Sequence, residues 1–236
     1  MGSLCIIRQG FWSSFSNQAL LADNHSVMIG INYENRFFIN ELGTRTIGGI
    51  FPAGNASVGI HYSNFGYSDF RREMAAVASG LALSENLSAG VQIDYFSEKM
   101  SGEYDNNQYV TFEAGMTYKP SSGVIIAIHI FNPVPGSLRK FNLPASLSAG
   151  VGIELSNVLF AGAEAEMTTG RSIVLKTGFE YEAAKGFWLR GGFSTENSSF
   201  SFGFGYMFKS VRIDLSFATH ERLGITTGAS LIFKIH

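Results

Sequence analysis

The sequence predicts an all-β fold, a 14-stranded antiparallel transmembrane β-barrel with a short N-terminal plug segment. The clearest observation is the stretch Phe200–Phe208, in which every even position is aromatic and the odd positions are Ser, Gly, Gly and Met. Because alternate side chains of a strand lie on opposite faces, this stretch has one broad apolar face and one face of small residues. A small-residue face is typical of the crowded concave side of a closed sheet.

The composition is typical of a protein whose outer surface meets lipid. Charged residues make up 15% of the 236-residue sequence, which also contains 21 Phe and 27 Gly; ordinary soluble domains have about 25% charged residues. A formal net charge of -2 gives no support for a nucleic-acid partner. No run of about 18 apolar residues is present, so a transmembrane helix is excluded. The single cysteine, Cys5, excludes an intramolecular disulfide.

The chain divides into a predicted N-terminal plug or arm (residues 1–25) and a predicted barrel (residues 26–236). The first part contains Phe11, Trp12, Phe15 and Asn17 among several serines, which is too irregular for a strand. We expect a short turn or helix that lies inside the barrel or across its periplasmic mouth. A loosely ordered arm is the alternative.

From Val27 onward, apolar and polar residues alternate with the period of two that strands show. In residues 87–95, for example, the odd positions are apolar and the even positions are polar or Gly. Each candidate is long enough for the roughly 9–11 tilted residues that cross a bilayer. The predicted strands are 26–34, 43–52, 56–64, 71–83, 87–97, 108–118, 123–131, 145–155, 157–168, 171–182, 186–195, 198–208, 210–220 and 223–235.

The predicted connections alternate between short and long. Tight connections follow the even-numbered strands, whereas 35–42, 98–107 and 132–144 follow odd-numbered ones. Bacterial outer-membrane barrels have short periplasmic turns, longer extracellular loops and an even number of strands. We therefore expect the bacterial outer membrane as the location, with both termini in the periplasm and an export leader that was removed or lies upstream. A soluble pair of packed sheets is the alternative.

The lumen-facing positions of predicted strands 8–13 are unusually ionic. Charges in a narrow lumen should pair, because an unpaired buried charge is very costly. We expect Arg190 to lie opposite Gly178, diagonal to Glu180, and to lean across strand 12 toward Asp214. Lys176 should lie diagonal to Glu164. The predicted lumen ion-pair network consists of Glu154, Glu164, Glu166, Lys176, Glu180, Arg190, Arg212 and Asp214.

We interpret this network as a ladder that fills and rigidifies the barrel. A polar permeation route is one alternative, and a paired-carboxylate catalytic site at Glu164 and Glu166 is another. The histidines show no metal-ligand spacing, and no H-E-x-x-H or C-x-x-C motif is present. No serine lies in a nucleophile elbow. We therefore predict no enzymatic activity, no cofactor and no metal.

Two predicted extracellular loops are stronger functional candidates. Loop 35–42 contains three consecutive apolar residues flanked by polar ones, and loop 132–144 combines three prolines with a basic and aromatic tip. Exposed apolar clusters with a polar rim often mark interaction surfaces. The alternative is that these loops fold back and cap the barrel. The predicted partner-binding residues are Phe37, Phe38, Ile39, Arg139, Lys140 and Phe141.

Several segments also resemble a known family. They are the run from Phe11 to Ala19, Tyr33-Glu34-Asn35-Arg36-Phe37, the stretch from Tyr62 to Tyr67, and His129-Ile130-Phe131-Asn132-Pro133. In these segments the sequence resembles the PorV/PorQ-like outer-membrane barrels associated with type IX secretion, and the resemblance covers nearly the whole chain. These barrels are similar in turn to FadL-like 14-stranded barrels. The wider fold carries Asn-Pro-Ala in a lumen hatch, and this chain has Asn17-Gln18-Ala19.

The resemblance implies a role near protein secretion or surface assembly. We therefore expect a non-enzymatic accessory barrel whose partners are the lipid bilayer and another outer-membrane or secreted protein. The alternative is a FadL-like transporter of hydrophobic small molecules. A continuous apolar tunnel with a lateral opening would favour the transporter. A lumen closed by salt bridges, with apolar extracellular loops, would favour docking.

Overall fold

The computed structural model describes residues 4–101, 106–134 and 143–235. These residues form a closed antiparallel barrel of 14 strands, in which each strand pairs with its sequence neighbours and the last strand pairs with the first. The strands are β1 Val27–Arg36, β2 Gly43–Ala53, β3 Ala56–Gly66, β4 Phe70–Ala82, β5 Leu87–Met100, β6 Asn107–Ser121, β7 Val124–Phe131, β8 Ser146–Ser156, β9 Leu159–Thr168, β10 Val174–Ala184, β11 Phe187–Ser194, β12 Ser199–Phe208, β13 Val211–His220 and β14 Gly224–Ile235. The predicted fold class is confirmed.

Strand boundaries differ from the predicted ones by up to three residues. The largest differences are at β10, which begins at Val174 rather than 171, and at the ends of β5 and β6, which continue to Met100 and Ser121. The predicted loop 35–42 is shorter, because Asn35 and Arg36 belong to β1. Most of the predicted loop 132–144 lies outside the described residues.

The apolar faces of the strands point outward. Phe179, Phe202 and Ile93 are 47%, 48% and 62% exposed, as expected for side chains that meet lipid rather than a core. Phe193 packs on Phe200 with ring centroids 5.0 Å apart on this same outer face, and Ala163 is also exposed and outward-facing. None of the helices in the described ranges is long and apolar enough to cross a membrane.

The two ends of the barrel differ in their connections. Two-residue turns close the β2–β3 and β12–β13 hairpins at the end where β1 begins and β14 finishes. Gly54 and Lys209 occupy these turns with φ of 67° and 54°, the left-handed conformation that tight hairpins need. Longer connections lie at the opposite end. Short turns and termini mark the periplasmic end, and the longer loops mark the extracellular end.

The N-terminal segment lies inside the barrel. After an irregular start at Leu4 it forms two 3-10 helices, Ser13–Phe15 and Gln18–Asp23. Asn17 caps the second helix by accepting a hydrogen bond from the Ala19 N–H at 3.2 Å. Leu20 and Leu21 are completely buried, so a short segment supplies the core that the hollow barrel lacks. We call residues Leu4–Asn24 the plug.

Two predicted registers were wrong. Arg190 lies directly opposite Glu180 rather than opposite Gly178, which pairs with Gly192. β10 continues to Ala184 rather than ending at 182, and one extra residue, Ala183, lies between the paired residues Glu182 and Ala184, so the pairing is shifted.

Lys176 likewise lies directly opposite Glu164 rather than diagonal to it. The connection between β9 and β10 runs over five residues, Thr169 to Ile173, so no tight turn fixes this register.

Candidate functional site

The start of the plug is held against the β9–β10 wall by charge. Glu164 Oε1 accepts hydrogen bonds from the backbone N–H groups of Cys5 and Ile6, both at 2.8 Å. The Arg8 guanidinium donates to Glu180 Oε1 and lies 4.5 Å from the centre of the Phe160 ring. These contacts satisfy lumen carboxylates that would otherwise be buried at high cost.

Arg8 also extends the predicted ion-pair network. Arg190 donates through Nε to Glu180 Oε2 and through Nη1 to Asp214 Oδ1, both at 2.6 Å, and Arg212 Nε donates to Asp214 Oδ2 at 2.9 Å. Positive and negative groups therefore alternate from the plug across β10–β13. A Cβ at Gly205 would lie 2.6 Å from Asp214 Oδ1 and 2.9 Å from Arg190 Nη2. The small-residue face of β12 is thus the space through which Arg190 reaches Asp214.

The other members of the predicted network have separate roles. Lys176 Nζ donates to Glu166 Oε2 at 2.7 Å, while Glu164 is occupied by the plug backbone. Glu154 is more exposed and receives a longer contact of 3.3 Å from Arg8. Glu164 and Glu166 therefore bind different partners, which fits packing better than paired-carboxylate catalysis. Among the described residues, no group of three His, Cys, Asp or Glu side chains could hold a metal ion.

A second polar contact, which the sequence did not single out, joins the plug to β6. Gln18 Nε2 donates to Glu113 Oε2 at 2.7 Å, and His129 Nε2 lies 3.0 Å from the same oxygen. Gln92 and Asp94 lie beside them on β5 and are almost fully buried. The signal was present in the alternation, because all four strand residues occupy lumen-facing positions.

The plug passes so close to β4 and β5 that only glycine fits beneath it. Added Cβ atoms at Gly80 and Gly90 would collide with the backbone of Gln18. Gly80 and Gly90 are directly paired, so the wall is locally free of side chains across two strands. The plug therefore has a specific seat rather than a loose fit.

The aromatic part of the plug packs on the β1–β4 side and β14. Phe11 contacts Trp12 edge-on with centroids 4.7 Å apart, and Phe15 lies 4.7 Å from the His61 ring. Phe11 and Phe15 share an apolar cluster with wall residues, including Ile50. Trp12 Nε1 donates to Ser230 Oγ at 2.7 Å. This region is held mainly by apolar contacts.

An aromatic patch lines the lumen on the extracellular side of the plug. Phe96 stacks on Tyr109 with centroids 5.0 Å apart and an interplanar angle of 18°. Met74 is the cross-strand neighbour of Phe96, and Phe65 and Phe70 lie edge-on at 6.2 Å. All five residues occupy lumen-facing positions of β3–β6 and are half-buried. We call them the mouth patch.

The described part of the extracellular rim displays several exposed apolar side chains, of which Phe38 is the most exposed. Phe37 and Phe38 both have positive φ, and Phe38 is 71% exposed. Ile39 is also exposed, whereas Phe37 packs edge-on against His220 at 5.5 Å. The other predicted partner-binding residues, Arg139, Lys140 and Phe141, lie outside the described residues.

Comparison with solved structures supports the FadL-like barrel. The chain is similar to the Ralstonia pickettii toluene transporter TbuX (TM-score 0.79, 12% identity, covering 100% of this chain and 97% of that chain). It is also similar to a Pseudomonas aeruginosa FadL homologue (TM-score 0.73, 13% identity, covering 100% of this chain and 96% of that chain). The Pseudomonas putida toluene transporter TodX is similar as well (TM-score 0.68, 10% identity, covering 94% of this chain and 92% of that chain). No protein-family model and no curated protein matches the sequence.

At these identities the similarity shows the fold, which is that of bacterial outer-membrane β-barrels. The prediction of a FadL-like outer-membrane barrel is confirmed at this level. The PorV/PorQ-like assignment is not supported. TbuX and TodX are named as toluene transporters.

Proposed function

We propose that the protein passes small hydrophobic molecules across the outer membrane, with the plug as its gate. The mouth patch carries this proposal. It places apolar rings inside a lumen whose β9–β13 wall is ionic, on the route from the extracellular loops to the plug. These rings bind apolar solutes through burial. Arg36 and Arg72 lie at the edge of the patch, 5.9 Å from the centre of the Phe65 ring and 6.0 Å from the centre of the Phe70 ring.

The plug is held differently along its length, which suggests how it opens. Leu4–Arg8 shares a buried apolar cluster with Ala127 and Phe160, and it is also held by hydrogen bonds to Glu164 and Glu180, which an apolar solute cannot replace. Phe11–Phe15 is held mainly by apolar packing. Its side-chain hydrogen bond to the described part of the barrel is the one that Trp12 Nε1 donates to Ser230 Oγ. Because a hydrophobic solute can replace apolar contacts at little cost, Phe11–Phe15 is the part that moves and Leu4–Arg8 is the anchor.

The fold supports this choice over the secretion-accessory function. Similar solved structures are named as toluene transporters and a monoaromatic hydrocarbon channel. Strands β1 to β4 are paired without interruption, so this wall has no lateral opening, and in our proposal this arrangement is the closed state. Transport then requires the plug to shift.

Tryptophan fluorescence can test solute binding directly. The sequence has two tryptophans, so Trp188→Phe leaves Trp12 in the plug as the single reporter. Titration with toluene in detergent should change Trp12 emission saturably. Phe96→Asn, in the mouth patch, should raise the half-saturating concentration about tenfold, which corresponds to the loss of about 1.4 kcal/mol of apolar contact. Phe200→Asn, on the lipid face, is the control. No saturable change, or equal effects of both variants, would contradict the proposal.

Docking of a neighbouring protein is a second candidate, favoured by the exposure of Phe38. An exposed aromatic held in a positive-φ turn is a typical binding anchor. In this case Phe38→Asp leaves the barrel folded and reduces co-purification of a membrane partner from gently solubilised outer membranes. Unchanged co-purification would exclude Phe38 as the anchor.

A further inference from the structure

The outward-facing charges of the barrel are concentrated in one place. Along the described strands, the charged side chains at outward positions are Arg45 on β2, Arg71 and Glu73 on β4, and Lys99 on β5. Arg71 pairs directly with Lys99, and Arg45 connects to Glu73 through Asn64 in successive cross-strand pairs. A lipid-facing wall that is otherwise uncharged therefore carries three cations side by side.

These cations are poorly neutralised. Glu73 accepts a 2.7 Å hydrogen bond from the Tyr62 hydroxyl, and its contact with Arg71 is 3.9 Å long. Within the described residues, Arg45 and Lys99 have no carboxylate within 4.0 Å. The pocket that contains all three cations also contains Glu41, so its lining carries a net positive charge.

Three depressions join below and around this cluster. The upper one, of about 540 Å³, is polar and contains the three cations. It shares Arg45, Asn64 and Arg71 with a groove of about 810 Å³ whose wall includes Ile31, Ile213, Ala229 and Leu231. That groove shares Ile47 and Tyr62 with a further apolar groove of about 400 Å³. Together they form a cationic pocket that adjoins two largely apolar grooves on the outside of the barrel.

The depth of the site identifies the leaflet. Arg71 and Lys99 lie beside the longer connections, at the extracellular end. Outward-facing Tyr33, Tyr62 and Tyr95 lie at or just below the level of Arg45, where aromatic belts meet the lipid headgroups. The cations are therefore at the height of the outer-leaflet headgroups, and the apolar grooves run toward the acyl chains.

We infer that this face of β2–β5, with the adjoining groove on β13–β1, binds a phosphorylated glycolipid of the outer leaflet, of the lipid A type. Three clustered cations match a lipid with several phosphate charges better than a lipid with a single phosphate charge, since each phosphate oxygen can accept a charge-assisted hydrogen bond. The lining of the grooves comes from β13, β14, β1, β2, β3 and β4, which gives acyl chains an apolar surface on which to pack. The occupant is a lipid because the site opens toward the bilayer and not into the lumen. This inference is independent of the transport proposal.

Native mass spectrometry of the purified protein in detergent tests the inference. The probes are bis-phosphorylated lipid A, its dephosphorylated form and phosphatidylglycerol. The triple variant Arg45→Gln, Arg71→Gln, Lys99→Gln should bind lipid A about tenfold more weakly. The control Arg171→Gln, Lys185→Gln, Lys209→Gln removes the same charge from exposed sites elsewhere and should bind normally. Ala229→Trp fills the apolar groove without changing charge and should also weaken binding.

Retention of the heat-modifiable gel shift establishes that each variant barrel is folded. A preference for phosphorylated lipid A that is lost in the triple variant, together with weaker binding of lipid A by Ala229→Trp, supports the inference. Equal binding of the two lipid A forms, equal binding by the triple and control variants, or a preference for phosphatidylglycerol would overturn it.

Discussion

Arg8 in the plug and Glu180 on β10 are joined through two guanidinium nitrogens, with Nε and Nη2 at 3.0 and 2.8 Å from the same carboxylate oxygen. The second oxygen of Glu180 accepts from Arg190. One barrel carboxylate therefore connects the plug to the ion-pair network that stiffens the wall. This relationship makes the position of the plug sensitive to single substitutions in the network.

Removal of Arg8 should loosen the start of the plug while the barrel stays folded. Arg8→Ala loses the contacts with Glu180, about 1–2 kcal/mol for a partly exposed charge-assisted pair. Cys5 is the only cysteine and lies three residues away, so its maleimide labelling should become roughly tenfold faster. Arg36→Ala, which removes an exposed pair with Glu34, is the control. Equal labelling rates in the two variants would show that Arg8 does not anchor the plug.

The pH dependence of labelling provides a second check on the seated plug. Burial, and then the negative charge of Glu164, raises the pKa of the Cys5 thiol to about 12. Because the thiolate is the reactive form, Cys5 in the seated plug should label much more slowly at pH 7–9 than an exposed thiol with the ordinary pKa of about 8.5. Unfolding in denaturant at the same pH should remove the difference. Labelling of the folded, unmodified protein at the rate of the unfolded chain would contradict the packing of Cys5.

A side chain at Gly90 should displace the plug. The added Cβ of Gly90→Ala would collide with the Gln18 backbone, whereas Ala89→Val on the same strand adds its methyl groups toward lipid. We expect Gly90→Ala to increase both Cys5 labelling and conductance in planar bilayers, and Ala89→Val to change neither. If Gly90→Ala changes neither Cys5 labelling nor conductance, the plug has room to adjust to the added methyl group.

Loss of Arg190 should destabilise the barrel itself. Arg190→Met leaves Glu180 and Asp214 each with one remaining cation, so we expect a loss near the lower end of the range for a broken buried pair, about 3 kcal/mol. Arg72→Met removes an ion pair with Glu98 in which the arginine is more exposed than Arg190 is, and it should lower the free energy of unfolding by about 1 kcal/mol or less. Urea unfolding in lipid vesicles measures both. Equal losses would show that the lumen network behaves like a surface pair.

The strand pattern was predictable because lipid on one side and a crowded lumen on the other impose a strict alternation. This alternation identified all the strands and the inward direction of Arg190 and Glu164. The registers of Arg190 and Lys176 were not predictable from turn positions, because one depends on an irregularity near Glu182 and the other on a longer connection.

The contacts of the plug were less accessible from the sequence. Phe11, Trp12 and Phe15 marked the segment as apolar and irregular, but their partners depend on its path through the lumen. Arg8 is a lone basic residue without a motif, and Glu113 looked like one polar lumen position among many. Both became significant only when the structure placed Arg8 against Glu180 and Gln18 against Glu113.

The closed lumen does not by itself distinguish docking from transport. A lumen closed by salt bridges was expected to favour docking. The closure comes from both a charged anchor and an apolar segment, and only the anchor depends on Glu164 and Glu180. A closed lumen is therefore compatible with transport if Phe11–Phe15 moves.

Uptake of a radiolabelled monoaromatic hydrocarbon by cells tests the central claim most directly. Cells that lack their own hydrocarbon channels should accumulate toluene faster when they produce the unmodified protein. The increase should be lost with Phe96→Asn and retained with Phe200→Asn at equal protein levels in the outer membrane. Uptake equal to that of cells without the protein, or an increase unaffected by Phe96→Asn, would contradict a route through the mouth patch.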